Sequence, residues 1–331
     1  MKHVSILVLN DAVMASIVDP HMMLNGVNGF LEDAGKPPAF KLQLLGLTPM
    51  VKQYNGLFSV HTDKMLKEVK RTDLVIIPAI AGDFEATLYK NREFIPWIIH
   101  QYKENGADVA SLCSGAFMLA ATGLLNGLEC SSHWASANLF RQLFPEVELV
   151  NGRIVTEQDG LFSSGGANSY WNLLLHLVEK YTDRETAIMA SKVYALDIDR
   201  TSQSPFTMFS GQKKHEDAPI RQAQEYIEAN IHQRISVEEL SDRFAIGRRH
   251  FVRRFKKATD NTPLEYIQRV RMEAAKKKLE SSRMNINEVM YEVGYSDSKA
   301  FRAIFKKLTG MLPADYRMKY NKEAAVEVSR R

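Results

Sequence analysis

Cys113 stands where a thiol can do chemistry. In DVASLCSGAFMLA an apolar run ends at Leu112, the cysteine follows, and Ser114, Gly115 and Ala116 open a helix. A strand-to-helix turn of this kind is a nucleophile elbow, which exposes one side chain above a sheet. The helix N-terminus beneath it lowers a thiol pKa and offers backbone N–H groups to an oxyanion. His133 in SSHWAS is a candidate base, and Asp19 in SIVDPHMML a candidate carboxylate. Each has a plainer reading: a buried cysteine is often a small hydrophobe, a histidine can satisfy a core hydrogen bond, and Asp19 before Pro20 can cap a helix. Gly82, Phe84, Ser114 and Trp134 complete a candidate ligand pocket with these three. Phe84 and Trp134 could stack on a cationic ligand or serve as core.

A second group of residues suits nucleic acid. Phe251 and Phe255 lie four apart and precede Lys256-Lys257; Phe301 and Phe305 do the same before Lys306-Lys307. On a helix each phenylalanine pair faces one way. The opposite face of the first helix then offers Arg248, Arg249, His250, Arg253 and Lys256, with Arg254 and Lys257 nearby for phosphates. The second offers Ser298, Lys299, Arg302 and Lys306, with Asp297 as the expected cap. Arginine forks match the O6/N7 edge of guanine, whereas lysines fix register on the backbone. A helical bundle with a merely solvated charged face would show the same composition.

Two kinds of element must position these groups. Val4 to Leu9, Phe40 to Leu47, Leu74 to Ile80 and Ala107 to Leu112 are short runs rich in Val, Ile and Leu, separated by helical stretches. That alternation implies an α/β doubly wound, mostly parallel sheet. Such sheets bind ligands beyond the C-terminal ends of their strands. An all-α part follows, with helices expected from Ile220, after Ser236, after Gly247, from Pro263 to about Leu279, from Ile286, and from Asp297 to Leu308. Its recurring pattern implies a duplicated small unit, hence two helix-turn-helix (HTH) units. The expected boundaries are 1–211 for the first domain, 212–218 for a linker, 219–320 for the helical domain and 321–331 for a tail.

Charge separates the halves. The 331 residues carry a net +4, but from Gln212 onward 26 Lys+Arg face 17 Asp+Glu, leaving the first part with 17 against 22. A basic half joined to an acidic one points to a nucleic-acid partner. Two cysteines are too few for a disulfide framework, no apolar run reaches membrane-helix length, and Asp11 interrupts the N-terminus too early for a signal peptide. Reduced thiols, a cytoplasmic location and no metal or cofactor are therefore expected.

INEVMYEVGYSDSKAFRAIFKKLTGMLPADYR resembles the signature of the AraC/XylS regulators through Gly294, Phe301, Phe305, Gly310, Pro313 and Tyr316-Arg317. The segment ISVEELSDRFAIGRRHFVRRFKKATDNTPLEYIQRVRMEAAKKKL resembles the same family's first HTH. It departs at Gly247, where a serine cap is usual, and at Asp260, where a glycine is usual. SLCSGAFMLAATGLLNG, HWA and FPEVELV…GLFSSGGANSYWNLLLHLVE resemble the PfpI/ThiJ branch of the class I glutamine amidotransferase-like superfamily, over about residues 3–200. This implies a flavodoxin-like fold. It matches Cys113 and His133 to the superfamily's cysteine and histidine, Asp19 to an early acidic position usually held by glutamate, and Ala81-Gly82 to the region of a second oxyanion donor. Together the resemblances imply a transcription regulator that binds double-stranded DNA, with its front domain a sensor of an amino acid or amine. A homodimer is compatible with paired operator half-sites. The competing expectation is a cysteine hydrolase or hydratase carrying a DNA-binding tail. The incomplete catalytic set around Cys113 favours the non-enzymatic reading.

Overall fold

The Val-, Ile- and Leu-rich runs form the centre of a parallel sheet. In the computed structural model, which describes residues 1–150, 152–213 and 215–321, contacts divide the chain between Gln203 and Ser204 into two units. The strands are β1 (Lys2–Leu7), β2 (Phe40–Gly46), β3 (Met50–Gln53), β4 (Phe58–His61), β5 (Lys64–Met65), β6 (Leu74–Ile77), β7 (Asp108–Ser111), β8 (Glu129–Cys130), β9 (Glu148–Leu149), β10 (Val155–Gln158) and β11 (Leu161–Ser164). Among the described residues seven of them form one sheet, in the order β10-β11-β7-β6-β1-β2-β5. All its pairings are parallel except β10 with β11, which are antiparallel. Strand β6 is buried along its whole length, as a strand covered on both faces must be.

Helices α1 (Ala15–Asp33), α2 (Phe84–Lys90), α3 (Phe94–Lys103), α4 (Ala116–Ala121), α5 (Ala137–Leu143), α6 (Tyr170–Tyr181) and α7 (Arg184–Val193) belong to the same unit. Helix α6 turns Leu173, Leu174, Leu177 and Val178 inward. Trp171 packs against this core, in keeping with a structural role. The β10–β11 hairpin turns at Asp159 and Gly160, both at positive φ (50° and 78°), the backbone a tight two-residue turn requires.

The second unit is helical: α8 (Ala218–Ala229), α9 (Val237–Arg243), α10 (Arg248–Thr259), α11 (Pro263–Ser281), α12 (Ile286–Glu292), α13 (Ser298–Thr309) and α14 (Pro313–Tyr320). The expected starts hold closely, because they are set by local chemistry. Ser236 and Glu239 close a capping box on α9, and Asp297 accepts from the Lys299 and Ala300 N–H groups at the head of α13. Two separate apolar clusters form. Phe251, Phe255, Tyr266 and Ile267 anchor one, and Met272, Leu279, Phe301, Phe305 and Tyr316 the other. Helix α11 contributes its first half to one and its second half to the other.

The segment expected to link the domains is packed onto this unit. Gln212 accepts from the Gln224 amide through its carbonyl and from Asn261 through its side chain, Lys213 pairs with Glu228, and Asp217 caps α8. The boundary thus falls at Gln203/Ser204 rather than after residue 211. Of the expected tail, residues 322–331 lie outside the described residues. Among the described residues no helix is long and apolar enough to cross a membrane.

Candidate ligand pocket and nucleic-acid interface

Cys113 follows β7 in a left-handed backbone conformation, φ 54°, which a non-glycine residue adopts only under constraint. Its N–H donates to the Ser164 hydroxyl (3.0 Å), and its carbonyl accepts from Ser132 (3.3 Å). The neighbouring Gly115 lets the turn pass over β6, since a Cβ there would stand 2.6 Å from the Pro78 carbonyl oxygen. The elbow read from the sequence is therefore present as geometry. Its electrostatics run the other way. Burial pushes the Cys113 thiol up, against smaller opposing hydrogen bonds from Ala167 and Ser114. A thiol so placed stays protonated at neutral pH and is a poor nucleophile. Both cysteines are free and buried, and burial drives Cys130 up to about 12.

Asp19 does not cap a helix; it lies within α1, whose N-cap residue is Met14. There it accepts from the Tyr170 hydroxyl at 2.5 Å. Burial raises the Asp19 carboxyl, and the Tyr170 bond partly offsets that rise. Tyr170 is itself held well above the ordinary phenol range by burial, then by Asp19, with Cys113 as a further electrostatic influence. Buried Tyr170 and Cys113 and half-buried Asp19 thus form one polar group beyond the C-terminal ends of β1, β7 and β11. Tyr170 was missing from the sequence-based site. Its helical spacing with Leu173, Leu174 and Leu177 marks it as inward-facing, but its partner is 151 residues away.

His133 follows Ser132, whose hydroxyl bonds the Cys113 carbonyl, but it joins no catalytic pair. Its Nδ1 accepts from the Ala135 N–H (3.0 Å), so the neutral ring carries its proton on Nε2. Burial lowers its pKa, and it is not among the groups that act on the Cys113 thiol. A Cβ on Gly166 would lie 2.7 Å from the His133 ring, so only glycine allows this approach. Trp134 packs beside His133 with ring centroids 5.5 Å apart.

The remaining sequence-predicted pocket residues are placed differently. The Ser114 hydroxyl donates to the Ile80 carbonyl (2.7 Å) and accepts from its N–H (3.0 Å), which fixes the loop after β6. Phe84 stacks on Phe117 at 4.2 Å, within an aromatic cluster that includes Phe140 and Phe144. Gly82 is exposed at φ 81°. The adjacent Ala81 N–H donates to the Asp11 carbonyl (2.9 Å), so it is committed to the backbone and not to an oxyanion. Asp19, Tyr170 and Cys113 offer a carboxyl, a phenol and a neutral thiol, and His133 a ring N–H. That set suits holding a small polar ligand better than acyl transfer. A separate groove at the sheet edge, lined by Arg153, Asn172, His176 and Arg184, has its Arg153 and Arg184 charges matched by Glu129 and Glu179.

In the helical unit, Phe251, Phe255 and Thr259 are buried on α10, and Phe301, Phe305 and Thr309 on α13. The opposite face of α10 exposes Arg249, His250, Arg253 and Lys256, and Arg248 is exposed at its first turn; α13 exposes Lys299, Arg302 and Lys306, with Ser298 half-buried at its start. Arg248 is drawn toward Glu238 (2.9 Å), and Arg253 lies 3.4 Å from His250 Nδ1. Arg254 is tied to Asp217. Its Nε and one terminal nitrogen donate to the two carboxylate oxygens, at 2.9 and 2.7 Å. The two sequence departures fall at the ends of α10: Gly247 is an N-cap without a side-chain bond, and Asp260 takes the left-handed C-cap position (φ 57°) that Gly310 takes on α13 (φ 73°).

Residues 33–180 match the DJ-1/PfpI family, and residues 240–319 match a helix-turn-helix domain family. The HTH-type transcriptional regulator GbdR of Pseudomonas aeruginosa is 26% identical over 308 residues, covering 92% of this chain and 80% of that protein. The HTH-type transcriptional regulator ArgR of the same organism is 24% identical over 232 residues, 70% of each chain. GlxA of Rhizobium meliloti, also named an HTH-type transcriptional regulator, is 24% identical over 64% of this chain and 65% of its own. A solved Vibrio parahaemolyticus chain, described as a transcriptional regulator, superposes with a TM-score of 0.52 at 23% identity, covering 58% of this chain and 98% of that one. That last likeness concerns the fold.

Proposed function

We propose that the chain, similar to the DJ-1/PfpI family over residues 33–180 and to a helix-turn-helix domain family over residues 240–319, is an AraC-type, sequence-specific transcription regulator of the bacterial cytoplasm. The observation that carries this reading is the pair of helices α10 and α13. Each buries two phenylalanines and presents a basic face to solvent, as two recognition helices require. On that reading Arg249 and Arg253 contact base edges, while Lys256, Lys299 and Lys306 sit on phosphates. The names of the relatives support a regulator over an enzyme, and the raised Cys113 thiol agrees with them.

The front unit then serves as the sensor. Asp19, Tyr170, Cys113 and His133 supply its polar contacts and Trp134 an aromatic face, chemistry that suits a small nitrogenous effector such as an amino acid or amine. A homodimer would place two such chains on paired half-sites. The elbow geometry of Cys113 favours one alternative, a cysteine hydrolase or hydratase, which needs a thiolate that burial opposes.

Binding to a pool of random duplexes at two salt concentrations, with and without a panel of amino acids and amines, tests the whole reading. One enriched sequence, shifted by one compound, is the expected result. Weak, salt-sensitive binding with no enriched sequence would remove the regulator reading.

A further inference from the structure

The two HTH units have separate apolar cores, so contacts outside those cores bear on the angle between their recognition helices. Helix α11 spans both cores, with Tyr266 and Ile267 in the first and Met272, Ala275 and Leu279 in the second. A single connecting helix fixes the separation of two bodies better than their rotation about it. Arg271 lies at its waist. Its Nε donates to the Ile231 carbonyl (3.0 Å) and its NH2 group to the Gln233 carbonyl (2.5 Å), both in the loop before α9. Its guanidinium also lies 5.4 Å from the centre of the Tyr295 ring, in the turn that precedes α13.

The turn of the second unit is shaped to this contact. Gly294 has φ 78°, and a Cβ there would stand 2.4 Å from the Ile231 carbonyl oxygen and 2.9 Å from the Arg271 NH2 group. The loop of the first unit, the arginine and the turn of the second unit therefore meet at one point. A planar fork spans two separate carbonyls and still reaches the Tyr295 side chain, a spread that the compact head of an ammonium matches less well. We infer that Arg271, wedged between the Ile231–Gln233 carbonyls and the Tyr295–Gly294 turn, is a positioning residue that sets the spacing of the two DNA subsites the chain will accept. It need not touch DNA. One base pair added between subsites rotates them by about 34° relative to each other, and a locked pair of helices cannot follow that rotation.

This rests on the DNA-binding reading, and the experiment separates the two. The sequence enriched by the full wild-type chain from random duplexes is synthesised with its native spacing and with one base pair inserted or deleted between the two subsites. Wild type is expected to bind the altered duplexes roughly tenfold or more weakly, the effect of a lost base contact. Arg271→Ala should bind the native duplex less well but lose under about threefold on altering the spacer. Arg271→Lys should fall between wild type and the alanine variant, because an ammonium keeps the charge and its donors at one point but not the planar fork that spans the two carbonyls. Tyr295→Leu, which keeps apolar fill and removes the ring face, reads the same clamp from the other side should Arg271→Ala not fold. The quantity compared is the ratio of two affinities from one preparation, so a general loss of stability does not move it. Folded variants that keep the wild-type ratio would overturn the inference, as would a wild type indifferent to the spacer. Failure to enrich any sequence would remove the DNA-binding reading at the first step.

Discussion

The two HTH units share a core and differ at their ends. Fifty residues apart, Phe251 matches Phe301, Phe255 matches Phe305, Thr259 matches Thr309 and Tyr266 matches Tyr316, all buried. Around that core the second unit follows local rules throughout: Gly294 in the left-handed turn, Asp297 as N-cap, Gly310 as left-handed C-cap. The first unit holds Ala245 at φ 51°, Gly247 at the N-cap without a side-chain bond, and Asp260 at φ 57°. A non-glycine residue in that region costs on the order of 1 kcal/mol. The first unit offsets this with longer-range polar contacts. Asp217 binds Arg254, where the second unit has the apolar Ile304. The duplicated unit thus keeps its packing and differs in whatever the local chain or the DNA face requires.

The comparison breaks first at the cores. Phe255→Ala and Phe305→Ala should each cost about 3–5 kcal/mol by urea unfolding, as large buried truncations do. If the clusters are independent, the double variant should lose the sum to within about 0.5 kcal/mol; a larger departure would mean that they fold as one core. On the DNA faces, Arg249→Ala should weaken specific binding by about 1–3 kcal/mol and relax the preferred base, whereas Lys306→Ala should mainly flatten the salt dependence, by about one unit of slope. A uniform loss across sequences for Arg249→Ala would place it on phosphate instead.

Smaller effects sharpen the contrast at the helix ends. Asp297→Ala should cost about 1 kcal/mol, while Gly247→Ser should gain only a few tenths, since glycine is itself a tolerable N-cap. Equal and opposite effects would show that the two ends are not encoded differently. The smallest effect concerns acid. The Arg254 hydrogen bonds hold the Asp217 carboxyl below its ordinary range, so the stabilisation is present above about pH 4 and is lost as pH falls through the lowered folded-state pKa. Arg254→Met should therefore be less stable than wild type at neutral pH, with the gap narrowing as pH falls through the lowered Asp217 pKa. A gap that is constant with pH would assign the loss to packing.

Much of the helical unit was legible before folding, because capping boxes, N1 prolines and the spacing of the phenylalanines act within a few residues. The central strands β1, β2, β6 and β7 were equally visible as apolar runs. The β10–β11 hairpin was not read, although Asp159-Gly160 between VTEQ and LFSS is a turn signal. At the site, the Cys113 elbow followed from the small residues around it. Ser114 and Phe84 were assigned to a pocket, but a hydrogen-bond pair with Ile80 and a ring stack on Phe117 hold them in the packing.

The sequence alone determined the elements, their caps, the duplication and the charge split, since each is written in residue types a few positions apart. Tertiary structure alone decided that Tyr170 joins Asp19, that burial leaves the Cys113 thiol protonated, that Arg254 is tied to Asp217 and that Arg271 clasps two loops at once. Periodicity reports which face of one element is buried. A partner 151 residues away, and the dielectric it shares, exist only once the elements have packed.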